Sequence, residues 1–402
     1  MDKPTFTPLH QRDYLDWPFF DVEHRDFMRV VEAFANSGAL DVDHRNVDHA
    51  CRSLVAALGK SGVLRACVPG AYGGFAPEIE SRRLVLAREA LAYRSGLADF
   101  SLAMQGLGSG PISLCGSEEL KASILPRVVR GECIPAFALS ESEAGSDVGA
   151  MTCSAQLDGH HYVVNGEKTW ISNGGIADVY TLFARTGEAA GTRGVSAFVV
   201  YPDDPGFSIA ARLDVMAPHP LATLRFNDMR IPASRLLGAP GEGFKIAMRT
   251  LDIFRVSVAG AAMGFARRAF DEALAHARSR KIFGATLGDM QLTQARIGEM
   301  NAMVDAAAML TYRAAWRRDV QKLSTTREAA MAKMIATENA QAVVDSAQQL
   351  FGARGVQVGG VMESLYREIR ALRIYEGATE VQKMIVAREV LRNGVTLAKA
   401  IA

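Results

Sequence analysis

Residues 134–237 interrupt an otherwise helical texture, and that interruption is the strongest constraint on how the chain can fold. Asp158-Gly159 and Asn165-Gly166 are two-residue hairpin signals beside alternating segments such as His161-Tyr162-Val163-Val164. Asp178 to Arg185, Gly194 to Tyr201 and Ala222 to Asn227 read as further strands. Pro202, Pro205, Pro218, Pro220 and Pro232 punctuate the loops between them. Before this stretch, Phe27, Val30, Val31 and Phe34 recur at helical spacing, as do Leu54, Leu58 and Val63. Pro69-Gly70 and Gly73-Gly74 divide the helices. The Gly106 to Pro111 run reads as a helix–helix turn, or as a place where two backbones or a ligand approach closely. After Gly241-Glu242-Gly243, one long helix is expected from about Phe244 towards Arg280. An Ala-rich helix should start near Thr325, where Glu328 completes a capping-box signature, and end near Phe351-Gly352. It places Met331, Met334, Ile335 and Ala342 on one face, the methionines as core filler. The expectation is a mostly α fold with a central β domain: helical over 1–133, β over 134–240, and helical over 241–402.

Composition narrows the function classes. With 45 basic and 44 acidic residues the formal charge is +1, which supplies no field for nucleic acid or an anionic membrane. Cys51, Cys67, Cys115, Cys133 and Cys153 form no CxxC pair. They read as free thiols of a reducing, cytoplasmic setting, and no metal site is expected. The first residues show neither a secretory signal nor an Arg-rich transit peptide, and no apolar run reaches the ~20 residues of a membrane span.

Two constellations carry chemistry. Phe137-Ala138-Leu139-Ser140-Glu141-Ser142-Glu143-Ala144-Gly145-Ser146-Asp147 passes from an apolar strand into a polar loop. Its Gly145 and Ser146 can offer N–H and hydroxyl donors to an anion. Trp170-Ile171-Ser172-Asn173-Gly174-Gly175 sets an aromatic ring beside small polar residues. That ring could cover an aromatic ligand, although a plain core Trp is the commoner case. His219, in the loop Met216-Ala217-Pro218-His219-Pro220, reads as a surface residue.

Together with four later segments these resemble the acyl-CoA dehydrogenase family, in order and from about Ala50 onwards. The later segments are Leu251 to Arg255; Arg280-Lys281-Ile282-Phe283-Gly284 with Gln291; and Gln349 to Gly355 followed by Ile374-Tyr375-Glu376-Gly377-Ala378-Thr379-Glu380-Val381-Gln382. The resemblance implies an N-terminal helical domain, a small β-barrel-like domain and a C-terminal four-helix bundle. It implies FAD as cofactor. Phe137, Leu139, Ser140, Trp170 and Ser172 would lie along the isoalloxazine ring and ribityl chain. Arg280, Phe283, Gln291, Gln349, Gly352, Ala353, Thr379 and Glu380 would serve the rest of the cofactor, in part across a dimer interface. Ser146, Asp252, Phe254, Arg255, Tyr375 and Gly377 would meet the acyl-CoA. Ala353 and Ala378-Thr379 depart from the family's usual Gly and Thr-Ser.

The implied reaction is α,β-dehydrogenation of an acyl thioester to the trans-2-enoyl-CoA. Glu376 would take the α-proton and flavin N5 the β-hydride. Enclosure would raise the Glu376 pKa towards the working range, and the Gly377 N–H would stabilise the enolate-like oxygen. Some relatives carry the base just before the substrate-helix Arg; here Phe254 occupies that position and takes no proton. An electron-transferring flavoprotein is the implied partner and a homotetramer the implied assembly. Alternatives on the same fold are an acyl-CoA oxidase, a flavin monooxygenase or a catalytically silent binding protein.

Overall fold

The computed structural model describes residues 13–401, with side chains as far as residue 392. The helices that open the chain are α1 (Val22–Ala35), α2 (Val47–Ser61), α3 (Ser81–Arg94), α4 (Gly96–Cys115) and α5 (Glu118–Val129). Eight strands follow: β1 (Pro135–Ala138), β2 (Ser154–Asp158), β3 (His161–Ser172), β4 (Val179–Arg185), β5 (Val195–Val200), β6 (Phe207–Leu213), β7 (Leu221–Pro232) and β8 (Leu236–Leu237). The chain closes with α6 (Gly243–Ser279), the short hairpin β9 (Lys281–Ile282) and β10 (Ala285–Thr286), α7 (Gln291–Asp319), α8 (Thr326–Phe351), α9 (Val361–Leu372) and α10 (Thr379–Ile401). By backbone proximity these group into two compact units. Among the described residues one comprises those up to Arg29, Ser81–Gly96 and those from Arg255; the other comprises Val30–Glu80 and Leu97–Phe254.

The second unit is built on an eight-stranded sheet in the order β6-β7-β3-β2-β4-β5-β8, with β1 added in parallel to β4. Asp158-Gly159 makes the expected tight hairpin, pairing Asp158 with His161 and holding Gly159 at φ 60°. Asn165-Gly166 does not turn: β3 runs straight through it to Ser172. There the register against β7 shifts between Val164 and Gly166. Asn165 exchanges hydrogen bonds with Asp228, whose φ is 47°. Gly166 is required because a Cβ would lie 2.7 Å from Cys153 Cα. The signal marks a β-bulge, which needs the same permissive backbone as a turn.

Nor does Gly106 to Pro111 form a turn. It lies inside the continuous helix α4, and the alternative of close approach holds. A Cβ on Gly108 would come within 2.7 Å of the Pro135 backbone, and one on Gly106 within 2.3 Å of the Phe254 ring. Thr181 fastens β4 to this face by donating to the Gly108 carbonyl at 3.0 Å. His219 is half-buried rather than superficial, its ring centroid 4.5 Å from that of Phe100.

In the first unit, α7 and α8 pack along their lengths, and α8 also meets α9 and α10. The α8 face turned inward is Ala329, Ala330, Ala332, Lys333, Ala336, Thr337, Ala340, Val343, Val344 and Ala347. Small residues allow close approach to the neighbouring helices, while Met331, Met334, Ile335 and Ala342 lie half-buried beside that face. Thr325 is the N-cap, but its side chain makes no capping bond. Glu328 is held instead by Arg327 at 2.6 Å. On α3, which is buried along nearly its whole length, Glu89 receives Arg267 at 2.7 Å and the Tyr312 hydroxyl at 2.6 Å. Among the described residues no helix is long and apolar enough to cross a membrane, and no His, Cys, Asp and Glu cluster could hold a metal ion.

Candidate active site

In the second unit, β1 delivers the first constellation. Phe137 pairs with Thr181 of β4 and stays half-exposed, and Leu139 is buried. The Ser140 carbonyl accepts the Thr169 N–H at 3.0 Å, which stitches the strand's exit to β3. Beneath it lies a fully buried ion pair. Lys168 donates to Glu141 Oε1 at 2.8 Å and to the Leu139 carbonyl at 3.0 Å. Glu141 also accepts from the Thr152 N–H and hydroxyl and from the Cys153 N–H. Burial by itself would raise the Glu141 pKa, but the Lys168 charge and these donors carry it below the ordinary carboxylate range. Glu141 and Ala144 close a tight turn through reciprocal backbone bonds, leaving Gly145 and Ser146 exposed beyond it.

One extra residue on β3 between Lys168 and Ile171 makes a second bulge against β7. Bulges of this kind re-aim side chains. Trp170, at φ 60°, is 58% exposed rather than in the core. Ser172 ends β3, and the buried Asn173 ties that end to β1 by donating to the Pro135 carbonyl at 3.1 Å. Phe254 is fully buried over Gly106 and Gly110, and Asp252 is half-buried.

In the first unit, the link from α9 to α10 carries Tyr375, Glu376 and Gly377. Glu376 has φ 52° and Gly377 φ 90°, a left-handed pair that costs the non-glycine member conformational energy. The strain is held by side chains. Gln382 Nε2 donates to the Glu376 carbonyl at 3.2 Å and to the Gly377 carbonyl at 2.8 Å. Arg255 Nε adds a longer bond of 3.4 Å to the Glu376 carbonyl. Lys333 Nζ reaches the Gly377 carbonyl at 2.8 Å. Glycine is favoured at 377 by its φ of 90°, and a Cβ there would lie 2.3 Å from Gln382 Nε2 and displace that amide. Glu376 is half-buried and Tyr375 exposed. The Thr379 hydroxyl donates to Glu338 at 2.6 Å, so its proton is committed within the protein; Glu380 is exposed.

A second cluster forms where α6 ends. The His276 ring stacks on Phe351 with centroids 4.3 Å apart, which brings the turn from Gln349 to Ala353 beside the end of α6. Burial, then Arg354 and Arg280, lower the His276 pKa. Arg280 is exposed, with no carboxylate in salt-bridge range among the described residues. Phe283, at φ 48°, is 92% exposed, and Gln291, Gly352 and Ala353 are exposed as well. Sequence reasoning overlooked Lys168, Lys333 and the bonding of Gln382. For Lys333 the available signal was a lysine set among Ala329, Ala330, Ala332 and Ala336; Lys168, between Glu167 and Thr169, carries no such signal.

The chain matches the family descriptions "Acyl-CoA dehydrogenase, N-terminal domain" over residues 21–132, "middle domain" over 136–229 and "C-terminal domain" over 241–391. It is 35% identical over 386 residues to a probable acyl-CoA dehydrogenase fadE25 of Mycobacterium leprae, covering 93% of this chain and 98% of that one. It is 36% identical to the human mitochondrial short-chain specific acyl-CoA dehydrogenase, covering 92% of this chain and 90% of the relative. Its structure resembles butyryl-CoA dehydrogenase from Megasphaera elsdenii, with TM-score 0.86, 30% identity, and coverage of 92% of this chain and 99% of that one.

Proposed function

The chain belongs to the acyl-CoA dehydrogenase family, and from that premise we propose that it removes hydrogen from Cα and Cβ of an acyl-CoA thioester with Glu376 as the base. The family's flavin is FAD, and solved relatives contain FAD or FADH2. The residues present suit it. An exposed indole at Trp170 stands near hydroxyls at Ser140 and Ser172 in sequence and sheet, and a guanidinium without a carboxylate partner at Arg280 suits a diphosphate. When bound, FAD supplies the acceptor for the β-hydride.

The observation that carries the reading is the clamped, left-handed Glu376-Gly377 turn. In a trans peptide the N–H points opposite to the C=O. With the Glu376 carbonyl held by Gln382 and Arg255, the Gly377 N–H is aimed the other way. It is thereby fixed in advance as a donor for a thioester oxygen, where negative charge develops as the α-proton leaves. Glu376 is the neighbouring acid, and Phe254, fully buried, offers no proton acceptor. Ser146, Asp252 and Arg255 are assigned to the CoA ester, and the acceptor of electrons is an electron-transferring flavoprotein. Full turnover that makes stoichiometric peroxide without an added acceptor would replace that assignment with an oxidase. Exposed apolar side chains at Phe283, Leu292, Val356 and Val358 support a homo-oligomer, which we take to be a tetramer.

The test is Glu376→Gln. The amide matches the carboxylate in size, so the variant should fold and keep FAD. Reduction of the flavin by acyl-CoA in a single turnover should fall by ~10²–10⁴-fold with KM little changed. A variant that bleaches within a few-fold of wild type would place the base elsewhere.

A further inference from the structure

Asn173 is a buried amide at the junction of two segments. Its backbone is left-handed, with φ 61°, and it has no exposed surface. A left-handed backbone suits glycine as well as asparagine, and a buried carboxamide is costly unless it is bonded. Here it is bonded far from its own turn. Nδ2 donates to the Pro135 carbonyl at 3.1 Å, 38 residues earlier. That carbonyl can only accept, which fixes the orientation of the amide. Oδ1 accepts from the Cys51 thiol of α2 at 3.8 Å. The Asn173 N–H donates to the Pro220 carbonyl at 2.8 Å.

The bond to Pro135 has a counterpart where the chain leaves β1, the Thr169 N–H donating to the Ser140 carbonyl at 3.0 Å. The two bonds bracket a short facing stretch. Between them lie residues 136–139 on one side, with Phe137 and Leu139, and 170–172 on the other, with Trp170 and Ser172. The Val179 N–H of β4 donates to the Ile134 carbonyl at 3.3 Å. Along this stretch Ile134, Ala136 and Ala138 therefore turn their backbone groups to β4, and Pro135, Phe137 and Leu139 turn theirs to the opposite edge. On that edge Asn173 takes the Pro135 carbonyl and Lys168 the Leu139 carbonyl. The Phe137 N–H and C=O stand between them, a donor and an acceptor held on both sides.

We propose that Asn173 is a positioning residue for the cofactor: by closing the bracket at Pro135 it sets the separation of β1 from the Trp170–Ser172 end of β3, and with it the direction in which the Phe137 backbone groups meet the flavin ring. The inference rests on the reading that FAD lies along these two segments. Trp170 at φ 60° and Asn173 at φ 61° are both strained, and such residues persist only where their surroundings hold them. The carboxamide supplies that hold for the second. The loop from Met216 to Pro220 gains a role through the same residue, because its last carbonyl anchors the Asn173 N–H.

The experiment titrates the flavin-free protein with FAD and measures the midpoint potential of the bound flavin. It compares wild type with Asn173→Gly, which permits the left-handed backbone and deletes the tie. Ile231→Val is a core deletion opposite Tyr162, at the other end of β3, and Trp170→Phe reports on the site. Urea unfolding is measured for each. Asn173→Gly should bind FAD roughly 10-fold more weakly. Its bound flavin should have a lower midpoint potential, because fixed donors favour the form that carries more negative charge. Affinity and potential equal to those of wild type overturn the proposal. So does a fall in affinity that only tracks lost stability, as expected for Ile231→Val, with the potential unmoved. Should Asn173→Gly fail to fold, flavin-free wild type decides alone: amide exchange should show 134–140 and 169–174 opening as one unit, and separate openings overturn the proposal. Trp170→Phe keeps the two ideas apart. The chain has three tryptophans, and if FAD quenches the emission of Trp170→Phe as strongly as that of wild type, the reading of the site fails. If that quenching is reduced while Asn173→Gly matches wild type in affinity and potential, only the Asn173 inference fails.

Discussion

Lys168→Met should destabilise the protein by about 3 kcal/mol and loosen its hold on flavin. The Lys168 side chain is 0% exposed and that of Glu141 8% exposed, and they meet at 2.8 Å. Methionine keeps the chain length and the packing against Met151, so the substitution removes charge and donor with little change of volume. Breaking a buried pair by deleting one partner costs about 3–5 kcal/mol, because the other charge remains without its counter-ion. Glu141 retains three donors, from Thr152 twice and Cys153 once, which sets the cost near the lower end of that range. The Leu139 carbonyl also loses its 3.0 Å donor, so the segment that leaves β1 should loosen just where Ser140 is expected to meet the cofactor. The assay is urea unfolding of the flavin-free protein, alongside titration with FAD. The unfolding midpoint should fall at unchanged slope, and FAD should bind more weakly. In Lys168→Met/Glu141→Gln the orphaned charge is gone and part of the loss should be recovered, the rest remaining because the amide nitrogen then stands against a donor the carboxylate had accepted. A single variant within about 0.5 kcal/mol of wild type, or a double variant no better than the single, would show that the pair does not organise this segment.

Acid should destabilise the wild type through His24, whose burial, reinforced by Arg82 and Arg83, brings its pKa from 6.5 to about 3. The unfolded chain then binds the extra proton between those values, so stability is complete above about 6.5 and falls as pH drops towards 3, by roughly 2 kcal/mol at pH 5. His24→Gln should flatten that slope in urea titrations, and an unchanged slope would assign the acid loss to other groups. In light scattering the flavin-loaded protein should have the mass of a homo-oligomer, and an active, flavin-loaded monomer would remove any role for Arg280 or the Gln349 turn in a second chain's site.

Much of the fold was legible because it rests on local chemistry. The Asp158-Gly159 hairpin and the long helix from Gly243 follow from the residues that build them. The misreadings arose where one local preference serves two structures. A glycine with positive φ suits a turn or a strand beside a bulge, and only pairing with β7 decides that Gly166 lies opposite the extra residue of that strand. A glycine-rich run suits a turn or a tightly packed helix. Gly106 and Gly110 are helical because Phe254 fills the space their missing side chains leave. Thr325 and Glu328 carry a capping signature, but Arg327, the residue before Glu328, holds the carboxylate at 2.6 Å, and a guanidinium brings a full opposite charge that a backbone N–H lacks.

The candidate site divides along the same line. Short polar motifs with glycine and serine announced themselves, since such residues have few reasons to cluster. The buried lysines did not, because a lone lysine in sequence reads as a solvated surface residue. What makes each of them buried lies far away along the chain: Glu141 is 27 residues from Lys168, and Gly377 is 44 residues from Lys333. Both ammonium groups finish on backbone carbonyls of chemically expectant segments, Leu139 beside Ser140 and Gly377 beside Glu376. A carbonyl in the middle of a helix or strand already has its partner and needs no such donor. Segments that must keep backbone groups available for a ligand leave the regular ladders, and their remaining polar groups then require side chains to hold them. Each lysine is therefore a consequence of the irregular backbone it holds within its own unit.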